Sequence, residues 1–407
     1  MPEPPQIPPT VSTATGLRLR HEYFGALVWI ANPRRIHRLP PAATALTLLH
    51  QTPRPPQLGE AEAAHAQSRL GIDLTAWAHL ATELLAQGVL VPVDGPAMPV
   101  DTDDIDAVAS RIAAQTPTVP VLKPLWVHLQ PFTRCNQRCL HCYCSGGPQA
   151  DDFLLDVPTW LSLVGKLDDY GVLDIYVTGG ESLLRDGFFA IAEEILDRGM
   201  GFGVSTNATV LSERVIARLR QLRIGSVQVS LDGGTPATHE LIRGASGSFT
   251  RTLAGIDRIS EFCDVVINTV VNKINIGELE QVVQVGIAHG CRRFKFFPQK
   301  PVGRSSGDLI LSDSEIMHTL RGACARLADA HGVEIETVNP GQPCGNGSVG
   351  FAVDQRADIY PCIFGVENPA QRCGNLLADD LDEVWFTSPI LAAFRGEVPT
   401  PCRRCEC

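Results

Sequence analysis

At 407 residues the chain has room for two or three domains, and a hydrophobic content of 44% supplies real cores and excludes global disorder. A net charge of −11 argues against a nucleic-acid binder, and no apolar run approaches a membrane span. The N-terminus, "MPEPPQIPPTVSTATG", lacks the apolar region of a signal peptide, so a cytoplasmic location is expected. Disulfides rarely persist there, and the 13 cysteines are an odd number that cannot be fully paired. Metal ligation is the leading explanation for the thiols.

Residues 1–16 are proline-rich and read as a disordered lead-in. Residues 17–93 read as one small module. "RLRHEYFGALVWIANPRRIHRLP" predicts three short strands, with Gly25 at the first turn and Asn32-Pro33 at the second. "PAATALTLLHQ" predicts a helix opened by proline, and another is expected near Glu60–Arg69. "DLTAWAHLATELLAQG" predicts an amphipathic helix with Leu74, Trp77, Leu80, Ala81, Leu84 and Leu85 on one face, stopped by Gly88. Three strands followed by helices make a winged-helix-like α+β module. Residues 94–124 read as a linker holding one short amphipathic piece, with Ile105, Val108 and Ile112 on one face. Four aspartates, at 101, 103, 104 and 106, favour a helix N-terminus there.

From residue 125 to 337 strands and helices alternate. The predicted strands are "LWVHLQ", "LDIYVTG", "GFGVST", "SVQVSLD", "DVVINTVV" and "RRFKFFP", with helices such as Pro158–Tyr170, Ser212–Leu222 and Ile276–His289 between them. Six such units predict an α/β fold, a partial (β/α)6 barrel of the TIM type, with chemistry at the C-terminal ends of the strands. Residues 338–407 are rich in Gly, Pro and Cys and read as a small domain that needs a metal to fold.

"TRCNQRCLHCYC" follows the first barrel strand and holds Cys135, Cys139 and Cys142 in a C-x3-C-x2-C spacing. Three thiolates on one loop can bind three irons of a [4Fe–4S] cluster and leave the fourth iron open. Zinc prefers four ligands from paired motifs and has no clear partner pair nearby, so it stands as the weaker alternative. Cys144 reads as a bystander near the cluster, because a fourth protein ligand would close the open iron. Cys263, Cys291 and Cys324 lie in or beside apolar elements and read as buried thiols.

At these residues the chain resembles the radical S-adenosylmethionine (SAM) superfamily, and further motifs match in the expected order. "GGES" (Gly179, Gly180, Glu181 and Ser182) resembles the loop for the SAM amino group, with serine where proline is more usual. "STNAT" places Asn207 where a SAM contact is common, and "VSLDG" places Ser230 and Asp232 near the ribose and carboxylate. "HELIRG" supplies Arg243, similar to the arginine that pairs with the SAM carboxylate, and "PVGR" supplies Arg304. A lone GG pair is usually a turn, and each of these polar residues alone is usually a surface or loop residue. The resemblance implies that the unique iron chelates SAM, that one electron cleaves the S–C5′ bond, and that the 5′-deoxyadenosyl radical takes a hydrogen from the substrate. It also implies a small-protein electron donor such as a flavodoxin or ferredoxin.

The C-terminal order of Cys344, Cys362, Cys402 and Cys405 resembles the SPASM/Twitch extension of many radical SAM enzymes. Four cysteines suffice for one auxiliary [4Fe–4S] cluster, as in the shorter Twitch form, which makes two clusters in all. A structural zinc ribbon is the alternative, and Cys373 and Cys407 stay open as ligands of a rearranged site. The family usually has glycine where Ala357 stands, which leaves the local turn geometry open, since alanine resists positive φ.

"LRHEYFGALVW", "RRIHRLPPAATALTLL" and "LLAQGVLV" resemble the RiPP recognition element, the fold that binds the leader of a ribosomally made precursor peptide. In that family the leader adds as a strand beside the third strand. Arg18, Arg20, Arg34, Arg35 and Arg38 face one acid, Glu22, and Arg34 and Arg35 are the expected leader contacts. DNA is the competing partner for a basic winged helix, but "TAWAHLATELLAQG" has no Lys or Arg to meet phosphate. Together the resemblances imply a peptide maturase that forms a thioether, a carbon–carbon crosslink or a related modification. A radical SAM enzyme of cofactor or small-molecule biosynthesis is the alternative, and a non-catalytic metal-binding regulator the second.

Overall fold

The computed structural model describes residues 11–13, 17–22, 25–30, 35–39, 41–51, 53–55, 58, 60–70, 74–94, 98–112, 121–150, 155–305, 307–338 and 345–395. Arg34, Cys344, Cys402, Cys405 and Cys407 fall outside them. The chain divides into two units, Met1–Leu122 and Lys123–Cys407.

In the first unit β2 (Leu17–Glu22), β3 (Gly25–Ile30) and β4 (Arg35–Leu39) form an antiparallel sheet in that order, which among the described residues leaves β4 at an edge. The lead-in expectation needs correcting at its end. Residues Val11–Thr13 form β1, paired antiparallel with β5 (Leu90–Pro92), and the Thr13 N–H donates to the His50 carbonyl at 2.9 Å. Helices α1 (Pro41–Leu49), α2 (Glu60–Leu70), α3 (Leu74–Ala86) and α4 (Thr102–Ile112) build the core. Leu46, Trp77, Ala81 and Leu84 are buried in it, and Gly88 ends α3 at φ 72°.

Helix α4 corrects the linker expectation. Its Ile105 and Val108 are buried in the same core, and Asp104 accepts both ends of the Arg54 guanidinium at 2.6 and 3.0 Å. A helix that fills its own module's core is part of the module, so the unit boundary falls near residue 122.

The second unit is built on one ten-stranded sheet in the order β12-β11-β10-β9-β8-β7-β6-β13-β14-β15. The six predicted barrel strands are β6 (Trp126–Phe132), β7 (Asp174–Gly179), β8 (Gly201–Thr206), β9 (Ser226–Ser230), β10 (Asp264–Val271) and β11 (Arg293–Pro298), all parallel. A seventh strand, β12 (Glu334–Thr337), adds parallel to β11. On the other side β13 (Gly350–Val353) pairs parallel with β6, and β14 (Asp358–Tyr360) and β15 (Gly374–Asn375) follow antiparallel. The expected break between barrel and C-terminal domain is therefore not a break in the sheet.

Helices α5 (Val157–Tyr170), α6 (Asp186–Asp197), α7 (Glu213–Gln221), α8 (Pro236–Arg243), α9 (Ser248–Ser260), α10 (Leu279–Ala288) and α11 (Arg321–His331) join the strands, and α12 (Leu381–Thr387) and α13 (Pro389–Phe394) follow β15. Strand residues alternate between two faces. Phe294 and Ile267 face α10, where a Cβ on Gly286 would come within 2.6 and 2.5 Å of their side chains. On the opposite face the Trp126 and Tyr176 rings lie over Gly350 and Gly203, with His128 between them at ring centroids of 4.8 and 5.3 Å. These rings fill the lower part of the barrel, away from the strand ends. Among the described residues no helix is long and apolar enough to cross a membrane.

A thiol-bearing loop at the strand ends as candidate active site

The loop after β6 carries Cys135, Cys139 and Cys142 and is held from three sides. The Cys135 N–H donates to Gly147 O at 3.1 Å. The N–H groups of Arg138 and Leu140 donate to the carbonyls of Arg243 and Ile242 at 3.2 and 2.8 Å, which satisfies carbonyls that α8 leaves open at its C-terminus. Arg304 closes the third side. Its Nε, Nη1 and Nη2 donate to the carbonyls of Cys139, Ser145 and Gly146 at 3.0, 2.8 and 2.5 Å, and its own N–H to Cys142 O at 2.9 Å. Arg304 thus clamps the cysteine loop.

Each of the three sulfurs has a hydrogen-bonding neighbour. Cys135 Sγ lies 3.4 Å from the Gln137 N–H and 3.9 Å from Asn207 Nδ2. Cys139 Sγ lies 3.6 Å from an Arg243 Nη, and Cys142 Sγ lies 3.8 Å from Cys144 Sγ. Donors aimed at sulfur favour thiolates, so the set fits an iron–sulfur cluster. Without a metal, burial pushes the Cys135 thiol up to about 12, while the hydrogen bond with Cys144 is foremost in bringing Cys142 below the ordinary thiol range. Among the described residues no three His, Cys, Asp or Glu side chains converge as ligands of a single ion.

The "GGES" segment explains its glycines by close approach. Gly179 stands at φ 123°, and a Cβ there would lie 2.2 Å from Phe132 O; a Cβ on Gly180 would lie 2.1 Å from Arg134 O. Backbone bonds from Gly180 and Glu181 to the Phe132 and Arg134 carbonyls, at 3.1 and 3.0 Å, fasten the segment to the cysteine loop. Glu181 is buried and turns inward. It accepts from Thr206 Oγ1 at 2.6 Å, Asn207 N at 2.7 Å and Leu183 N at 3.3 Å, while burial pushes its carboxyl above the ordinary range. Asn207 Nδ2 also donates to Asn136 Oδ1 at 2.8 Å. The Ser182 hydroxyl is buried and makes no hydrogen bond among the described residues.

Asp232 is the hub of the opposite side. It is fully buried, and its Oδ2 lies 2.8 Å from His141 Nε2 and 2.7 Å from Arg243 Nε, while Oδ1 accepts from the Val270 N–H at 2.8 Å. Burial alone would push its carboxyl up, but Arg243 and then His141 outweigh it and hold it below the usual carboxylate range. The Asp232 N–H donates to His239 Nδ1 at 3.2 Å, and burial, then Arg243, holds His239 down to about 3, in the neutral form an acceptor needs. Expected as cofactor contacts, Glu181, Asn207, Asp232 and Arg304 spend polar atoms on the loop and on one another. Ser230, at the end of β9, stays half-buried.

Sequence reasoning missed His141 and Tyr143. His141 lies between two ligand positions, and nothing local ties it to an aspartate 91 residues on. Tyr143 packs edge-on against Phe364 at 5.9 Å, and Ser145 Oγ donates to Glu367 at 3.0 Å, joining the loop to the segment after Cys362. Cys362 is buried, as is Ala357, which adopts φ 64°. Alanine thus keeps the turn that glycine would make, at a strain of roughly 1–2 kcal/mol. The turn is closed by Ala357 N to Asp354 O at 3.0 Å and Leu376 N to Ala357 O at 2.7 Å. Of the expected auxiliary ligands only Cys362 is among the described residues; Cys373 is too, its thiol pushed up to about 12 by burial.

Residues 129–285 match the radical SAM superfamily, and residues 344–406 match SPASM, an iron–sulfur cluster-binding domain. The chain is a radical SAM enzyme. SAM and two iron–sulfur clusters are the cofactors of this enzyme. It is 27% identical over 303 residues to the AdoMet-dependent heme synthase of Methanosarcina barkeri, covering 67% of this chain and 85% of that one. It is 26% identical over 288 residues to the mycofactocin maturase MftC of Mycobacterium ulcerans, covering 64% and 74%. Its fold is similar to Streptococcus suis SuiB bound to the precursor peptide SuiA, with a TM-score of 0.70, 14% identity, and coverage of 95% of this chain and 90% of that one.

Proposed function

We propose that this radical SAM enzyme is a peptide maturase, which captures a ribosomal precursor peptide by its leader and modifies the core by a thioether or carbon–carbon crosslink or a related change. One observation carries this reading. The fold likeness to SuiB with its precursor peptide runs over 95% of the chain and so takes in the N-terminal unit. That unit presents the edge strand β4, which begins at Arg35. An extended leader adds to such an edge by backbone hydrogen bonds, and Arg34 and Arg35 favour an acidic one.

In the barrel, Cys135, Cys139 and Cys142 hold the SAM-binding cluster, with the "GGES" loop, Asn207, Ser230, Asp232, Arg243 and Arg304 around SAM. When bound, the cluster and SAM supply hydrogen-atom abstraction. The chain's own part is placement. Arg304 and the α8 carbonyls fix the loop, Glu181 ties the end of β7 to that of β8, and the rings of Trp126, His128 and Tyr176 close the barrel from below. Cys344, Cys362, Cys402 and Cys405 hold the auxiliary cluster. A small flavodoxin- or ferredoxin-like protein donates the electron, and the cytoplasm is the setting.

The test is leader dependence. Anaerobically reconstituted enzyme is incubated with SAM, reductant and any short peptide found encoded beside its gene, with and without the leader half. Modified core from the full peptide alone is expected. Modification of a small molecule, with no effect of leader, would overturn the proposal in favour of the second reading. That reading, cofactor biosynthesis, rests on the 27% identity to the heme synthase.

A further inference from the structure

Cys144 is the one cysteine beside the SAM-binding loop that the ligand set leaves unused. It is buried at 3% exposure, with its sulfur 3.8 Å from Cys142 Sγ and 3.6 Å from Gly179 O. A cluster ligand is a thiolate and carries no proton, so within this pair only Cys144 can donate. Its proton has two acceptors. The charged one wins, because hydrogen bonds to an ionised acceptor are roughly twice as strong as neutral ones. The pattern agrees with the other two sulfurs, which face Asn207 Nδ2 and the Arg243 guanidinium. A fourth cysteine ligand, by contrast, would occupy the iron on which SAM binds.

We propose that Cys144 is a positioning residue: its thiol donates a hydrogen bond to the sulfur of Cys142 and so raises the reduction potential of the SAM-binding cluster. Hydrogen bonds to the sulfurs are among the levers that set cluster potentials, since they stabilise the more negative, reduced state. A tenfold preference for the reduced state converts to about 59 mV for a one-electron couple. The proposal rests on Cys142 being a ligand.

The experiment is an EPR-monitored redox titration of the full reconstituted enzyme, with and without SAM. The signal that responds to SAM identifies the cluster concerned. Cys144→Ala is expected to keep that signal and lower its midpoint. Cys144→Ser, which restores a donor in nearly the same volume, is expected to bring the midpoint back toward wild type. An unchanged midpoint in Cys144→Ala overturns the proposal, and so do equal shifts in both variants, which would mark a packing effect. Loss of the SAM-responsive signal in both overturns it too, by making Cys144 a ligand. Cys142→Ala separates the underlying assumption: a surviving signal there removes the ligand assignment and this proposal with it.

Discussion

The buried charge at Asp232 allows a stability prediction whose size follows from burial. The exposed fractions of the Asp232 and Arg243 side chains are 0% and 8%, and the two meet at 2.7 Å. Asp232→Asn keeps the shape and removes the charge, leaving the Arg243 guanidinium buried opposite a neutral amide. Breaking a buried pair from one side costs about 3–5 kcal/mol, against 0–1 kcal/mol for an exposed pair. For a unit of this size that corresponds to a fall of roughly 6–20 °C in midpoint, at about 2–4 °C per kcal/mol. The assay is denaturant and thermal unfolding of the reconstituted protein under anaerobic conditions, wild type and variants side by side. Adding Arg243→Met to Asp232→Asn removes the stranded cation and should recover much of the loss, although it also withdraws the donor to Cys139. A single variant that loses less than about 1 kcal/mol, the value of a surface pair, would refute the reasoning. A double variant no more stable than the single would refute it as well.

The reconstituted protein should bind about eight irons, the content of two [4Fe–4S] clusters, and Ala at Cys135, Cys139 and Cys142 together should halve the iron and abolish SAM cleavage. Iron analysis and deoxyadenosine release by chromatography check this, and unchanged iron would reject the assignment. Gly180→Ala places a Cβ 2.1 Å from the Arg134 carbonyl. The backbone must shift, and a loss of roughly 1–3 kcal/mol together with weakened SAM binding is expected from unfolding curves and calorimetric titration. Replacing Cys344 and Cys362 by Ala should remove the auxiliary cluster and the peptide product but leave uncoupled deoxyadenosine formation, read by mass spectrometry. Arg34→Glu with Arg35→Glu should weaken leader binding by about 1 kcal/mol per charge at low salt and less as screening rises, measured by fluorescence anisotropy at two salt concentrations.

What was legible in the sequence was whatever local pattern carries. The six central strands read clearly because apolar residues alternate or run through them and turn residues bound them. β12, "EIET", was missed because Ile335 is its only large apolar residue, and its strand state comes from pairing with β11. The amphipathic piece that forms helix α4 was read from Ile105, Val108 and Ile112 but placed in a linker, because nothing local ties it to the module; its fixed partner, Arg54, lies 50 residues before Asp104. The cysteine loop was found from spacing alone. The role of Asp232 was not, because a strand-end motif gives the residue type and not its neighbours. His141 comes to it from the loop and Arg243 from α8, both brought there by the barrel.

The same long-range pairing ties the cysteine loop to the segment around Cys362. β6 ends in the cysteine loop, and β13, which leads through the β14 hairpin toward Cys362, is bonded to β6 from Gly350↔Trp126 to Val353↔Leu129. The cysteine loop after β6 and the segment of Cys362 after β14 are therefore anchored on one sheet, with β13 bonded between the two strands. At the far end Tyr143 meets Phe364, Ser145 meets Glu367, and Thr133 Oγ1 reaches Gln355 Oε1 at 3.3 Å. A site carried on paired strands holds its geometry better than one on free loops. This accounts for the strain kept at Ala357: its carbonyl receives the Leu376 N–H, and its turn lies between the strand bonded to β6 and the strand that leads to Cys362. A turn that fixes this register is retained even without the glycine that would make it easily, because relaxing it would slip β14 against β13.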